Sequence, residues 1–122
     1  MIVVIIAAVA GGFGALARFG VDSFLRDRPA WSGWTLMIIN VTGSALLGLL
    51  TGFVVAQAGP GWAQLVIGTG FLGGYTTFSA AAVEVVRRLE ERRWSAAVIS
   101  AVGMPVAAAL AAALGLLIGL GL

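Results

Sequence analysis

Two clusters of small polar residues lie in otherwise apolar sequence, where their side chains could form hydrogen bonds inside a membrane. The first is "GTGFLGGYTTFS" (68–79), which combines glycines with threonine and serine hydroxyls, and the second begins at Asn40 in "NVTGSALLG". Amide N–H groups, hydroxyls and the positive edges of aromatic rings donate hydrogen bonds without carrying a fixed charge. A pathway lined by such donors would suit a small anion that accepts hydrogen bonds strongly.

The residue types that are absent exclude several kinds of chemistry. The sequence has no cysteine, histidine or lysine, so thiolate or imidazole metal sites and catalysis with a histidine base are not expected. Glu84 is the acid nearest a span interior, and it lies one turn from Arg87 and Arg88, where a salt bridge is the simplest expectation. We therefore expect no enzyme, and no basic face of a soluble fold suggests nucleic-acid binding.

The elements that position these clusters are membrane-spanning helices. The chain has 122 residues, of which 61% are hydrophobic and 10% charged, and a helix needs about 20 mostly apolar residues to cross the hydrocarbon core. The sequence predicts an all-α membrane protein, with residues 1–122 forming a single domain of four transmembrane helices. The first segment should be retained as a span, because no basic region precedes it as in a signal peptide. The predicted spans are 2–19, 34–56, 62–86 and 94–120.

The arginines predict the orientation of the chain in the membrane. Four spans place both termini and the 57–61 connection on one side, and the 20–33 and 87–93 connections on the other. The second side carries six arginines and the first side none. By the positive-inside rule we expect a multi-pass protein of the cell (inner or plasma) membrane, with the arginine-bearing loops in the cytoplasm and the termini outside. The six are Arg26, Arg28, Arg87, Arg88, Arg92 and Arg93.

The glycines of the third span allow two interpretations. Gly70 and Gly74 have the spacing of a small-residue packing motif, and the segment alone favours that interpretation. Alternatively, Gly73 and Gly74 let the helix open, and the hydroxyls that follow replace missing backbone partners. Asn40 is costly in hydrocarbon unless it is partnered, so it makes an interhelical hydrogen bond or lines an aqueous path.

Three blocks of the sequence resemble the signature blocks of the Fluc (CrcB) fluoride channels, in the same order and over essentially the whole chain. They are "GGFGALARF" (11–19), "NVTGSALLG" (40–48) and "GTGFLGGYTTFS" (68–79). The resemblance implies a fluoride-selective channel subunit that exports fluoride from the cytoplasm and so relieves fluoride toxicity. It also implies an antiparallel dimer of four-helix subunits with two pores and a central structural sodium ion.

The resemblance assigns roles to particular residues. The third helix would be broken near residues 73–79, with the backbone carbonyls of Gly73 and Thr76 on the sodium ion. Asn40 and Phe78 match pore residues of the family. Arg18 matches the arginine that closes the first block, where reaching to the interface is an equally good account. The expected fluoride pathway comprises Asn40, Thr77, Phe78 and Ser79.

The chain departs from the family pattern in ways that concern its partner. The family continues "TTFSTF", whereas Ala80 and Ala81 stand here in place of a threonine and the second pore phenylalanine. Family members encoded singly have nearly balanced basic residues and insert in both orientations, but this chain has arginines on one side only. We therefore expect a dimer with an opposite-topology paralogue, or otherwise with itself.

Two other functions remain open from the sequence. A small multidrug-type transporter also has about four short spans, but its first span should carry a glutamate, and "IVVIIAAVAGGFGALA" has no acid. A non-conducting membrane assembly subunit would need only the glycine contacts. Replacing Asn40 or Phe78 by alanine would separate this last possibility from a channel, since only a channel should lose flux.

Overall fold

A computed structural model describes residues 1–122 and contains helices but no strands. It has four helical runs long and apolar enough to cross a membrane, which confirms the predicted fold class. The first helix continues past its predicted end, because residues 19–26 form two further helical turns that include an Asp22–Arg26 ion pair. The elements are α1 (Ile2–Arg26), α2 (Thr35–Ala56), α3 (61–75), α4 (Phe78–Glu90) and α5 (Trp94–Leu120), and α3 and α4 are the two halves of the third span.

Helices α2 and α5 pack at backbone distance along a seam of glycines. A Cβ added at Gly48 would lie 2.1 Å from the carbonyl oxygen of Ala112. From the other helix, a Cβ at Gly115 would lie 2.2 Å from the carbonyl oxygen of Ala45. Small residues allow such close approach in lipid, where van der Waals packing drives helix association. Gly48 therefore belongs to a contact between two helices.

A second glycine seam joins α1 to α3. A Cβ at Gly14 would lie 1.9 Å from the carbonyl oxygen of Phe71, and one at Gly74 would lie 2.0 Å from that of Gly11. A Cβ at Gly70 would lie 2.6 Å from the carbonyl oxygen of Ala7. The packing interpretation of Gly70 and Gly74 is therefore confirmed. The break in the third span lies immediately beyond this seam.

Two stretches of wide, π-type turns lie within the spans. They comprise Gln64–Leu72 in α3 and Ile99–Gly103 in α5. In α5 the wide turns precede Pro105, whose ring would clash with the carbonyl four residues earlier in a regular helix. The glycine-rich and apolar sequence of α3 is compatible with both helix types, so the sequence did not predict this stretch.

Most of the apolar side chains point outward. Only 15 of the 122 residues are buried, and Ile39 is the one large side chain that is fully enclosed. Such a distribution would be unstable in water, whereas in a bilayer the lipid tails solvate the outward-facing side chains. The few buried polar groups therefore require a specific explanation.

Candidate functional site

The third span is interrupted at two threonines. Thr76 has φ −79° and ψ 156°, and Thr77 has φ −150° and ψ 119°, so both are extended. Gly73, by contrast, is helical with φ −62° and ψ −38°. The predicted break is confirmed, but the expectation that glycines open the helix is wrong. The extended conformations fall on threonines, which adopt them readily, while Gly74 is occupied in the seam with α1.

Asn40 of α2 holds the break open by pairing with the Thr77 backbone. Its Oδ1 accepts the Thr77 N–H at 2.9 Å, and its Nδ2 donates to the Thr77 carbonyl oxygen at 3.0 Å. The carboxamide thus replaces the helical acceptor that the Thr77 N–H has lost, and it adds a hydrogen bond to the Thr77 carbonyl oxygen. Of the two roles open to Asn40, the interhelical hydrogen bond is confirmed, and the residue is buried as that role requires.

The break leaves the carbonyls of Gly73 and Thr76 without their helical donors. In an unbroken α-helix, Gly73 would receive the Thr77 N–H, which here goes to Asn40. Thr76 would receive the Ala80 N–H, which instead donates to Thr77 Oγ1 at 3.2 Å. The Thr76 carbonyl oxygen lies 3.4 Å from Arg18 Nη1. Arg18 therefore reaches the break of the third span.

Helix α4 begins at the break with its amino terminus capped by Thr77. Besides accepting the Ala80 N–H, Thr77 Oγ1 lies 3.4 Å from Ser79 Oγ. A threonine at this position satisfies one of the donors left free at a helix start. The adjacent Phe78 ring is 82% exposed, so it has no packing role within the subunit.

An open groove of about 420 Å³ lies beside the break, between α2, α4 and α5. It brings together Asn40, Thr77 and Phe78, three of the four residues expected on the fluoride pathway. Ser79 is exposed and does not line it. The groove is lined by Asn40, Ser44, Thr76, Thr77, Phe78, Ala81, Ala82, Val85, Ser100, Ala101, Met104, Pro105 and Ala108.

Two residues at this site were not predicted from the sequence. A Cβ on Gly43 would lie 2.3 Å from Thr76 Cγ2 and 3.0 Å from Tyr75 Cδ1, so this glycine makes room for the break. Its position in "NVTGS", one turn after Asn40, was a usable signal. Met104 lies 3.3 Å from Asn40 Nδ2 through its sulfur, and nothing in the sequence marks it, because methionine is common in apolar helices.

At the arginine-bearing end, Arg88 connects three elements near the groove. Its Nε donates to Glu84 at 3.0 Å, its Nη1 contacts Ser100 Oγ, and its Nη2 lies 3.3 Å from the Gly33 carbonyl oxygen. The Arg88 and Glu84 side chains are only 15% and 18% exposed. The expected ion pair is confirmed, and it links α4 to α5 and to the connection before α2.

Comparison with known protein families shows to which family the chain belongs. The sequence profile described as "CrcB-like protein, Camphor Resistance (CrcB)" matches residues 5–116. The chain belongs to the CrcB family. Together with the four spans, this membership identifies it as a multi-pass membrane protein.

Several curated members of the CrcB family are similar over nearly their whole length. A protein of Leifsonia xyli named fluoride-specific ion channel FluC 1 is 45% identical over 97% of this chain and 87% of its own length. FluC 2 of Cutibacterium acnes is 42% identical over 91% and 92%. FluC 1 of Symbiobacterium thermophilum is 39% identical over 96% and 97%. The name of each describes a fluoride-specific ion channel.

Proposed function

We propose that this chain is a subunit of a fluoride-selective channel that exports fluoride from the cytoplasm and so relieves fluoride toxicity. The observation that carries the proposal is the groove of uncharged donors beside the broken third span, in a member of a family whose similar proteins are named fluoride-specific channels. No lysine or embedded acid is present to act as a fixed charge along the groove.

The physical basis is a set of donors that bind an anion without trapping it. Asn40 presents an amide, the Phe78 ring can offer its positive edge, and the amino terminus of α4 adds the positive end of a helix dipole. A path that conducts must bind an ion well enough to admit it and weakly enough to release it. Neutral donors meet both requirements for fluoride, which accepts hydrogen bonds strongly.

A central structural sodium ion forms a second part of the proposal. The carbonyl oxygens of Gly73 and Thr76 have both lost their helical donors, and carbonyl oxygens suit a hard cation. Within one subunit the Thr76 carbonyl oxygen has only the long 3.4 Å contact with Arg18 Nη1. These residues would hold the ion jointly with those of a second subunit, and the ion would join the two broken helices across the dimer.

The third part concerns orientation and partner. We place the arginine-bearing loops in the cytoplasm and the termini outside, with an opposite-topology paralogue as the other subunit of an antiparallel dimer. The one-sided arginines and the small residues Ala80 and Ala81 support this arrangement. Expressing the chain alone in fluoride-sensitive cells tests it. Full rescue without a second protein would show that the chain pairs with itself.

Fluoride efflux from liposomes that contain the chain together with the proposed paralogue tests the channel function directly. Phe78→Ala should remove most of the flux while leaving the fold intact, because the ring is 82% exposed within the subunit. Phe13→Ala is the matched control, since Phe13 on α1 is 61% exposed and lies away from the groove. A non-conducting assembly subunit would show no flux in the parent protein and no difference between the two variants.

The sodium ion is tested by replacing sodium with a bulky organic cation during purification and efflux. We expect loss of flux or of the dimer, with recovery when sodium is restored. Unchanged flux and assembly after exhaustive removal would refute the sodium site while leaving the channel function in place.

A further inference from the structure

The second N–H of the Asn40 amide points at a sulfur atom. Asn40 Nδ2 lies 3.3 Å from Met104 Sδ, in addition to its bond with the Thr77 carbonyl. The Thr77 backbone fixes which end of the amide is nitrogen, because its N–H requires the oxygen and its carbonyl requires the NH₂ group. The group facing Met104 is therefore a donor by necessity.

The thioether is a weak partner for this donor. Met104 is buried, and both side chains line the groove. A thioether accepts hydrogen bonds poorly, and the three rotatable bonds of methionine let it move aside. An anion at the same position would receive a charge-assisted hydrogen bond, which is shorter and roughly twice as strong as a neutral one. The sulfur thus satisfies the N–H only until a better acceptor arrives.

We infer that Met104 sets the anion affinity of the groove, because its sulfur occupies the Asn40 N–H that an anion must take. The inference rests on the proposed function, and it adds that the Met104 sulfur accepts the Asn40 N–H when no anion is bound. Because each anion must first displace the sulfur, its presence lowers the apparent affinity for every anion by the same factor. A poor acceptor such as chloride then falls below useful occupancy, while fluoride still binds and can still leave.

Two substitutions at this position should act in opposite directions. Met104→Leu removes the acceptor at similar volume, leaves the N–H unsatisfied, and should lower the half-saturating fluoride concentration of liposome efflux roughly three- to tenfold. Met104→Gln places a stronger carbonyl acceptor at a similar reach and should raise it. Damage to packing would instead reduce the maximal flux of both variants. Met37→Leu, a change at a methionine of α2 outside the groove, is the control.

The amide itself can be observed, because Asn40 is the only asparagine in the chain. Protein labelled with ¹⁵N-asparagine should give a single pair of side-chain NH₂ resonances. Sodium fluoride should shift mainly the proton that faces Met104, and sodium chloride at the same concentration should shift it less. In Met104→Leu the same proton should move without any fluoride, and its fluoride titration should end at lower concentration.

The outcomes separate this inference from the function on which it rests. Fluoride flux with an unchanged half-saturating concentration in both variants, or with shifts of the same sign, would overturn the role of Met104 alone. A parent protein with neither flux in the presence of the proposed paralogue nor a fluoride-dependent shift of the Asn40 amide would overturn the proposed function as well. Opposite shifts of the Leu and Gln variants, with Met37→Leu unchanged, would establish the inference.

Discussion

Small residues have different roles in the α2/α5 seam and at the broken third span. In the seam, glycines such as Gly48 and Gly115 remove side chains so that two complete helices touch. At the break, the chain gives up helical hydrogen bonds, and the Asn40 side chain replaces the one that the Thr77 N–H has lost. Glycine contributes there as well, but from the facing helix, where Gly43 leaves space for Thr76.

The difference shows that the tight helix contacts and the interruption of the third span lie in separate parts of the bundle. The close contacts of the seams join glycines to the backbone of the facing helix, and each helix there satisfies its own backbone. The break depends on one buried carboxamide, and it borders the groove that α4 and α5 leave between them. Mutations should therefore affect the two regions through different mechanisms.

The largest expected effect is in the seam. Gly48→Ala would put a Cβ 2.1 Å from the Ala112 carbonyl oxygen, so the two helices would have to separate along their length. We expect a loss of about 3 kcal/mol or more in the free energy of unfolding. Thermal unfolding in detergent measures it. Gly103→Ala is the control, since its nearest neighbour would be a side-chain methyl at 3.8 Å, and equal losses in both variants would contradict the seam.

Removing the carboxamide at the break should have the next largest effect. Asn40→Leu keeps the branched shape of the side chain but leaves the Thr77 N–H without a partner, at a cost of about 2 kcal/mol. Ser44→Ala, in the same helix and groove, should change stability by only a few tenths of that value. Unfolding in detergent compares the two. If Asn40→Leu were as stable as the parent, the break would not depend on the hydrogen bonds between Asn40 and Thr77.

A smaller effect is expected at the cap of α4. Thr77→Ala removes the oxygen that accepts the Ala80 N–H and should cost about 1 kcal/mol. Thr77→Ser keeps that oxygen and should restore most of the stability. Exchange of the Ala80 amide proton provides a local measurement. Equal exchange rates in the alanine and serine variants would show that the hydroxyl has no capping role.

The smallest effect is expected at Gly73, in contrast to its neighbour Gly74. A Cβ at Gly73 would meet no atom closer than 4.0 Å, and the residue is helical, so Gly73→Ala should be neutral or stabilise by up to about 1 kcal/mol. Gly74→Ala would place its Cβ 2.0 Å from the Gly11 carbonyl oxygen and should destabilise strongly. Similar unfolding temperatures for the two variants would contradict the distinction between them.

The sequence predicted the four spans because these depend on the length of apolar runs. The position of the break came from the family resemblance, since the third span alone favoured a packing motif. The sequence also predicted that Asn40 requires a partner, since an amide is costly in hydrocarbon. The resemblance of three short blocks supplied the residues of the pathway, and the groove gathers Asn40, Thr77 and Phe78.

The rest depends on contacts between distant segments. The partner of Asn40 is a backbone group 37 residues away, which no local pattern specifies. Gly73 and Gly74 are adjacent and identical in type, yet only Gly74 touches α1, because the direction of each Cβ follows from the helix rotation. Met104 acquires its role only because the turns before Pro105 and the packing of α5 bring it to Asn40.

Arg88 has a consequence for how the molecule fluctuates. By tying the Gly33 carbonyl and Ser100 to α4, it cross-links three chain segments at one face of the membrane. The connection around Gly59 at the other face has short-range backbone hydrogen bonds, and the side-chain bond beside it, from Gln64 to Thr51, joins only two helices. Thermal fluctuations of the helices should therefore be larger at the face that carries the termini than at the face that carries the arginines. Deuterium uptake by the backbone amides should be correspondingly higher at the terminal face.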